Sequence, residues 1–152
     1  MGLAASAEPH QRLSYVQARD AADGRKTRRP IVNIVSTSGI RWTGSAAVGY
    51  AAAKAGVIQF GRVVGVEYAS KGIRINSVLP GQLHTPSVDK VLARDQSGGD
   101  IETLLKRRQA RIPMPFMGDG RDTANAVLES DEARFVTGAK IIFDGGMSAR
   151  CD

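Results

Sequence analysis

The sequence predicts an α/β fold, a partial three-layer parallel sheet of about three strands joined by crossover helices. Three observations predict it. The run "IVNIV" at 31–35 is short, apolar and β-branched, the signature of a buried strand, and "STSG" then breaks it. From Ala46 to Ala69 there is no proline, and Tyr50, Val57, Ile58, Val64 and Tyr68 recur at helical spacing. Two further apolar runs, "IRINSVLPG" and "AKIIFDGG", end on glycine or proline. Strand, helix, strand, helices, strand is the rhythm of a parallel sheet with crossovers.

Taken in order, residues 1–30 are polar and arginine-rich and offer one short amphipathic helix from Leu13 through Val16 and Ala21. They are expected to form an atypical N-terminal segment, separate in texture from a folded unit at 31–152. The first strand falls at Ile31–Val35. One long helix is expected over 46–69, stopped by "SKG", whose glycine suits a left-handed cap. The second strand ends at Pro80 and Gly81. A polar, helical insertion is expected over 87–111 and a short helix over 122–129, and the third strand closes on Gly145 and Gly146.

Composition removes several function classes. At 152 residues and 42% hydrophobic the chain supports one core. Cys151 is the sole cysteine, so no intrachain disulfide can form and a reducing, cytoplasmic setting is expected. No apolar run has the length of a membrane span and no secretory start is visible, so no membrane partner is expected. "MGLAAS" satisfies the loose myristoylation pattern, which is short enough to arise by chance. The net charge of +6 gathers in "RKTRR" and "KRR", but neither is interleaved with base-stacking aromatics, which make up 5% of the chain. These clusters read as solvated faces, and no nucleic-acid partner is expected. "GSAAVGY" has the glycine spacing of a phosphate loop but puts Tyr50 where lysine must stand. "GDGRDT" begins like a dinucleotide fingerprint and lacks both the last glycine and the preceding strand. Two histidines far apart and one terminal cysteine give no metal site.

Ligands of open parallel sheets sit beyond the carboxyl ends of the strands, here "VSTSG", "LPGQLHTP" and "DGG". On the helix after the first of these, Tyr50 and Lys54 form an i, i+4 pair that projects from one helix face. A phenol ordinarily keeps its proton to about pH 10, so proton transfer near neutrality calls for a fixed positive charge beside it. Lysine supplies one, and the intervening alanines let another molecule approach closely. Ser36, leaving the first strand, can share that mouth and donate a hydrogen bond to a carbonyl oxygen. The constellation suits alcohol and carbonyl chemistry. A serine hydrolase built from Ser36 or Ser38 with His84 would need the G-x-S-x-G elbow, which is missing.

These residues resemble the short-chain dehydrogenase/reductase family over nearly everything from Ile31 to Met147. "NIVSTSG" resembles the strand that carries its active-site serine, and "YAAAK" its tyrosine-x-x-x-lysine motif. "RINSVLPGQLHTP" resembles its next strand and proline–glycine loop, and "ESDEARFVTGAKIIFDGG" its closing segment. The resemblance implies a Rossmann-like sheet and an oxidoreductase using NAD or NADP on a small alcohol or carbonyl substrate. It implies that Ser36 polarises the substrate oxygen, that Tyr50 is the general acid or base, and that Lys54 favours the phenolate and holds the nicotinamide ribose. Pro80 and Gly81 would shape the nicotinamide site, the Leu83 backbone would hold the carboxamide, and Thr85 would donate its hydroxyl to the cofactor. Met114, Phe116 and Met117 would cover the substrate, and the long helix would lie among those through which the family forms homo-oligomers.

The departures matter too. The family's glycine-rich phosphate loop, its ribose-reading residue and its asparagine–alanine–glycine segment precede the serine strand, and no counterpart is found here, so the chain is expected to represent the C-terminal portion of the domain. Asn33 is the first asparagine, so the asparagine usual on the preceding helix has no counterpart, and "ANAVLESDEA" is shorter than the family's segment. The first strand is left with an open edge that residues 1–30 or another protomer would cover. Two readings follow: an alcohol–ketone oxidoreductase, and a non-catalytic remnant acting as a subunit-interaction module.

Overall fold

Three strands, β1 (Pro30–Ile34), β2 (Arg74–Pro80) and β3 (Lys140–Phe143), form one sheet in the order β1-β2-β3. Both pairings are parallel, with Pro30 opposite Arg74 and Ser77 opposite Lys140. The computed structural model describes residues 30–44, 46–86, 88, 97–125 and 133–150. The N-terminal helix expected around Leu13 lies outside the described residues.

The crossover between β1 and β2 is α1 (Val48–Glu67), twenty residues without a proline. A short 3-10 turn follows at Ala69–Lys71, and Gly72 ends it with φ 79°, the left-handed cap that "SKG" predicts. Two more helices are described between β2 and β3: α2 (Ile101–Gln109) and α3 (Gly120–Asn125). The first lies within the expected insertion, and the remainder of the expected 122–129 helix lies outside the described residues.

The core sits between α1 and the sheet. Val64 of α1 packs with Ile73 and Ile75, joined by half-buried Ile31, Phe60 and Tyr68. Nearer the carboxyl ends, Ile58 packs with Val35 and Leu79. β2 is buried throughout except at Pro80, whereas β1 is half-buried and ends on exposed Ile34. Among the described residues β1 has a strand neighbour on one side only. The buried face of α1 is Ile58, Gly61, Val64 and Gly65, so Tyr50 and Val57, which share the helical spacing, are exposed instead. Small residues at 61 and 65 let the helix lie close on the sheet, where Asn33, Ser77 and Thr137 meet it.

One buried polar residue ties β2 to the last strand. Asn76 is 1% exposed, yet its amide donates to the Val136 carbonyl at 3.0 Å and accepts from the Ala139 N–H at 3.1 Å. Thr137 Oγ1 adds a bond from the Ile75 N–H and one to the Gly65 carbonyl. Both ends of the amide are satisfied, so its burial carries no desolvation penalty of the kind an orphaned polar group brings.

Leu79 is fully buried and Val66 is 67% exposed. Leu79→Ala is expected to lower stability by about 3 kcal/mol, the usual range for a truncated core leucine. In the monomeric chain Val66→Ser is expected to change it by less than about 0.5 kcal/mol. Urea unfolding of both variants checks the contrast.

Candidate active site

The site begins where β1 stops. Ser36 has extended backbone, and its Oγ accepts from the Ser38 N–H at 3.2 Å, which starts a 3-10 turn over Thr37–Gly39. Buried Thr37 donates its hydroxyl to the Pro80 carbonyl at 3.4 Å, linking this turn to the end of β2. Ser38 Oγ and Thr43 Oγ1 share a hydrogen bond of 3.0 Å. Gly39 closes the turn against α1, where an added Cβ would stand 2.9 Å from the Ala55 nitrogen and the Lys54 carbonyl carbon. Only glycine lets the serine turn lie this close to the helix that carries the lysine.

On that helix Tyr50 is half exposed, and Lys54 Nζ lies 5.5 Å from the centre of its ring. The same ammonium donates to the Ile34 carbonyl at 3.3 Å, two residues before Ser36. Lys54 is thereby held between the end of β1 and the phenol. A cation within about 6 Å of an aromatic ring is attracted to it. The structure brings Ser36, Tyr50 and Lys54 to one end of the sheet.

Pro80, Gly81, Leu83 and Thr85 leave β2 at the same end. The Gly81 N–H donates to the Phe143 carbonyl at 2.8 Å. A Cβ on Gly81 would collide with the Asp144 Cβ and stand 2.9 Å from its Cα, so the two strand ends approach each other only because residue 81 has no side chain. Asp144 in turn accepts from the Gly146 and Ser148 N–H groups at 2.9 and 2.7 Å, fixing the glycine pair. The Leu83 carbonyl accepts from Arg108, and no described acceptor meets its N–H. Thr85 is half-buried, and its carbonyl accepts from the Val88 N–H at 2.8 Å. Leu83 and Thr85, both half-buried, thus share the loop that leaves the carboxyl end of β2.

Across from this loop stands α2. Its first turn is capped by Asp100, whose carboxylate accepts from the Thr103 N–H at 3.0 Å. That bond, with one to the Thr103 hydroxyl, holds the Asp100 carboxyl below the ordinary carboxylate range. His84, Leu105, Lys106, Gln109, Ala110 and Met117 line an open cleft of about 560 Å³ between the loop and α2. Met117 thus borders the cleft, while Met114 and Phe116, expected beside it as cover, are each about half exposed. At the carboxyl end of α2 stand half-buried Arg108 and exposed Arg111, which the charge pattern alone places in a solvated run. Arg108 Nη2 donates to the Leu83 carbonyl at 3.3 Å, and Arg111 Nη1 to the Thr43 carbonyl at 2.9 Å. Burial first, and then repulsion from Arg111, push the Arg108 guanidinium below its ordinary value. In the orientation that satisfies both its ends, buried Gln82 donates to the Arg108 carbonyl and accepts from Arg111 Nη1, each at 3.2 Å.

A parallel, Rossmann-like sheet gathers a serine turn, a tyrosine–lysine helix and a proline–glycine loop at its carboxyl ends, the class of fold that the sequence resemblance implies. A family model described as "Enoyl-(Acyl carrier protein) reductase" matches residues 14–148. The chain belongs to the short-chain dehydrogenase/reductase family. It is 39% identical over 101 residues to 3beta-hydroxysteroid dehydrogenase 1 of Eggerthella lenta, covering 65% of this chain and 36% of that protein. It is 33% identical over 126 residues to the oxidoreductase UcpA of Escherichia coli, covering 82% of this chain and 46% of that one. Among solved structures, one assigned as a short-chain dehydrogenase/reductase from Burkholderia xenovorans is 73% identical with a TM-score of 0.75, covering 81% of this chain and 47% of that one. A 4-hydroxyisoleucine dehydrogenase complexed with NADH is 27% identical with a TM-score of 0.72, covering 93% and 55%. The chain spans about a third to a half of the length of these curated relatives.

Because the folded Asp100 carboxyl is depressed, its cap stabilises α2 above the unfolded value of about 3.9 and is lost as the pH falls through the still lower folded value. The Thr103 amide is therefore expected to lose hydrogen-exchange protection on acidification below about pH 4. In Asp100→Ala it is expected to be poorly protected at every pH, with exchange followed by NMR after correction for intrinsic rates.

Proposed function

We propose that this chain carries the catalytic and nicotinamide-facing part of an NAD- or NADP-dependent oxidoreductase that interconverts a secondary alcohol and a ketone. The observation that carries the reading is Lys54, held at once by the Ile34 carbonyl at 3.3 Å and over the Tyr50 ring at 5.5 Å, beside the turn that starts at Ser36. The dehydrogenase names of several relatives and the NADH and NADP complexes among the structural neighbours support it.

In the oxidative direction Tyr50 takes the hydroxyl proton while Ser36 donates a hydrogen bond to the same oxygen. Lys54, with its ammonium beside the phenol, would hold the ribose. A nicotinamide bound here would supply the hydride acceptor that the oxidation needs. In reduction Tyr50 returns the proton to the oxygen. Leu83, through its N–H, and Thr85, through its hydroxyl, would orient the ring system, and Pro80 and Gly81 would shape the wall behind it. The substrate is a small alcohol or carbonyl compound, and the working assembly is a homo-oligomer. For the assembly the supporting observation is the outer face of α1, where Val48, Val63 and Val66 are 77%, 51% and 67% exposed. The same face favours the second reading, a subunit-interaction module without catalysis.

Calorimetry with NAD and NADP on the purified chain separates the two. The oxidoreductase reading expects saturable micromolar binding that Lys54→Ala abolishes. It also expects Tyr50→Phe to lower turnover at least ~100-fold while changing cofactor affinity little, as befits loss of a proton-transfer group. A folded chain that binds neither cofactor would leave the interaction module standing.

A further inference from the structure

We propose that Trp42 is a specificity-determining residue of this site, a fixed aromatic surface at its mouth that selects alcohols and ketones bearing an apolar ring beside the reacting carbon. The inference rests on the alcohol–ketone reading of the Tyr50–Lys54 site and names the kind of substrate that site would take.

Trp42 is the sole tryptophan of the chain, and it is 75% exposed. An indole is among the largest apolar surfaces a side chain offers, and folding normally hides most of it. Here the backbone on both sides is fixed while the ring stays out. Before it, Arg41 Nη1 donates to the carbonyl of buried Met147 at 2.6 Å, and the Arg41 N–H donates to the Thr37 carbonyl at 3.1 Å. After it, Thr43 Oγ1 shares a hydrogen bond of 3.0 Å with Ser38 Oγ, and the Thr43 carbonyl accepts from Arg111 at 2.9 Å. Gly44 then turns with φ 87°, and the Arg111 guanidinium fills the place a side chain there would take. An apolar ring held out by a loop tethered on both flanks is preorganised for contact with another molecule, because little freedom is left to lose when that contact forms.

Position names that molecule. Trp42 lies between Ser36 and Tyr50 in the chain, on the segment that leaves β1 at the carboxyl ends of the strands. Two hydrogen bonds run from Thr43 to the Ser38 hydroxyl and from the Ser38 N–H to the Ser36 hydroxyl, so the tryptophan loop is tied to the turn that would hold the substrate oxygen. Residues 144–147 join the same loop to those expected to cover the substrate. Met147 takes the Arg41 bond, and the Gly145 carbonyl accepts from the Met114 N–H at 3.2 Å. Trp42 therefore shares a brace with the loop that carries Met114 and Phe116, which are also about half exposed. The surface these three residues offer is apolar and aromatic. An apolar ring gains most from it, by stacking and by leaving water, whereas a polar substituent would lose its hydration there.

The test uses the whole chain with NAD present and follows the emission of its one tryptophan. Without alcohol, acrylamide is expected to quench that emission nearly as well as in the urea-unfolded chain, at low and high protein concentration alike. Saturating 1-phenylethanol is expected to shield the ring, and in calorimetric titration to bind at least ~5-fold tighter than 2-butanol, the scale of an aromatic contact with its buried area. Trp42→Ala is expected to erase that preference, measured as the ratio of the two dissociation constants, and Trp42→Phe to keep most of it, with circular dichroism checking that both variants fold. Emission already shielded without alcohol would mean that a second copy or another part of the chain covers the ring, and would overturn the assignment. So would 1-phenylethanol that binds without shielding, a preference that survives Trp42→Ala, or no binding of either alcohol. The two readings fail separately. Ring-selective binding that depends on Trp42 but gives no hydride transfer to NAD or NADP keeps the aromatic surface and removes the oxidoreductase, whereas turnover of both alcohols in a ratio that Trp42→Ala leaves unchanged does the reverse.

Discussion

The geometry depends on β2 pairing with a parallel neighbour on each side. Parallel pairing sends the carboxyl ends of β1, β2 and β3 out at one edge of the sheet, and burial of β2 from Arg74 through Leu79 fixes the register on both flanks. A slip of one residue would turn Ile75 and Leu79 away from α1 and bring Asn76 under it. The polar contacts are consistent with that register: Asn76 and Thr137 tie β2 to the segment leading into β3, and Thr37 ties the end of β1 to the end of β2. The chemistry of the site is thus arranged by a hydrophobic strand that contributes no catalytic side chain.

Two glycines convert that arrangement into close contact. Gly39 lets the serine turn rest on the backbone of α1 at Lys54, and Gly81 lets the end of β2 meet Asp144. Both act through space rather than through unusual backbone angles. Replacing either with a larger residue would push apart the segments that bear Ser36, Lys54 and Leu83, and a displacement of about 1 Å at a reacting centre can cost two orders of magnitude in rate.

Much of this was legible in the sequence. β1, β2, β3 and α1 were readable because apolar runs and helical spacing report burial directly, and "SKG" announced the end of α1 through a glycine that adopts a left-handed angle. Strand ends differed by a residue, as at Val35, which follows β1 yet still bonds to the Val78 carbonyl. The Tyr50–Lys54 pair was visible as spacing. What spacing could not give was Lys54's second bond to Ile34, because that depends on how α1 lies across the sheet. Arg108 and Arg111 were missed for a related reason. In "KRRQAR" each cation looks solvated, and only the docking of α2 through buried Leu104 turns Arg108 under the helix while Lys106 stays in water. A signal existed, since Leu104, Arg108, Arg111 and Ile112 recur at helical spacing and would share a face. Charge composition overrode it.

Length gives α1 a further property. Twenty helical residues at 1.5 Å each make a rod of about 30 Å. One end carries Tyr50 and Lys54, and exposed valines run along its outer side to Val66. A rod clamped on the sheet by Ile58, Gly61, Val64 and Gly65 does not bend easily between its ends, so it moves as a unit. Any body that settled on the valines and tilted the rod by a few degrees would shift the phenol by an ångström or more. A load applied along the outer side of α1 would therefore be felt at the end that carries Tyr50 and Lys54.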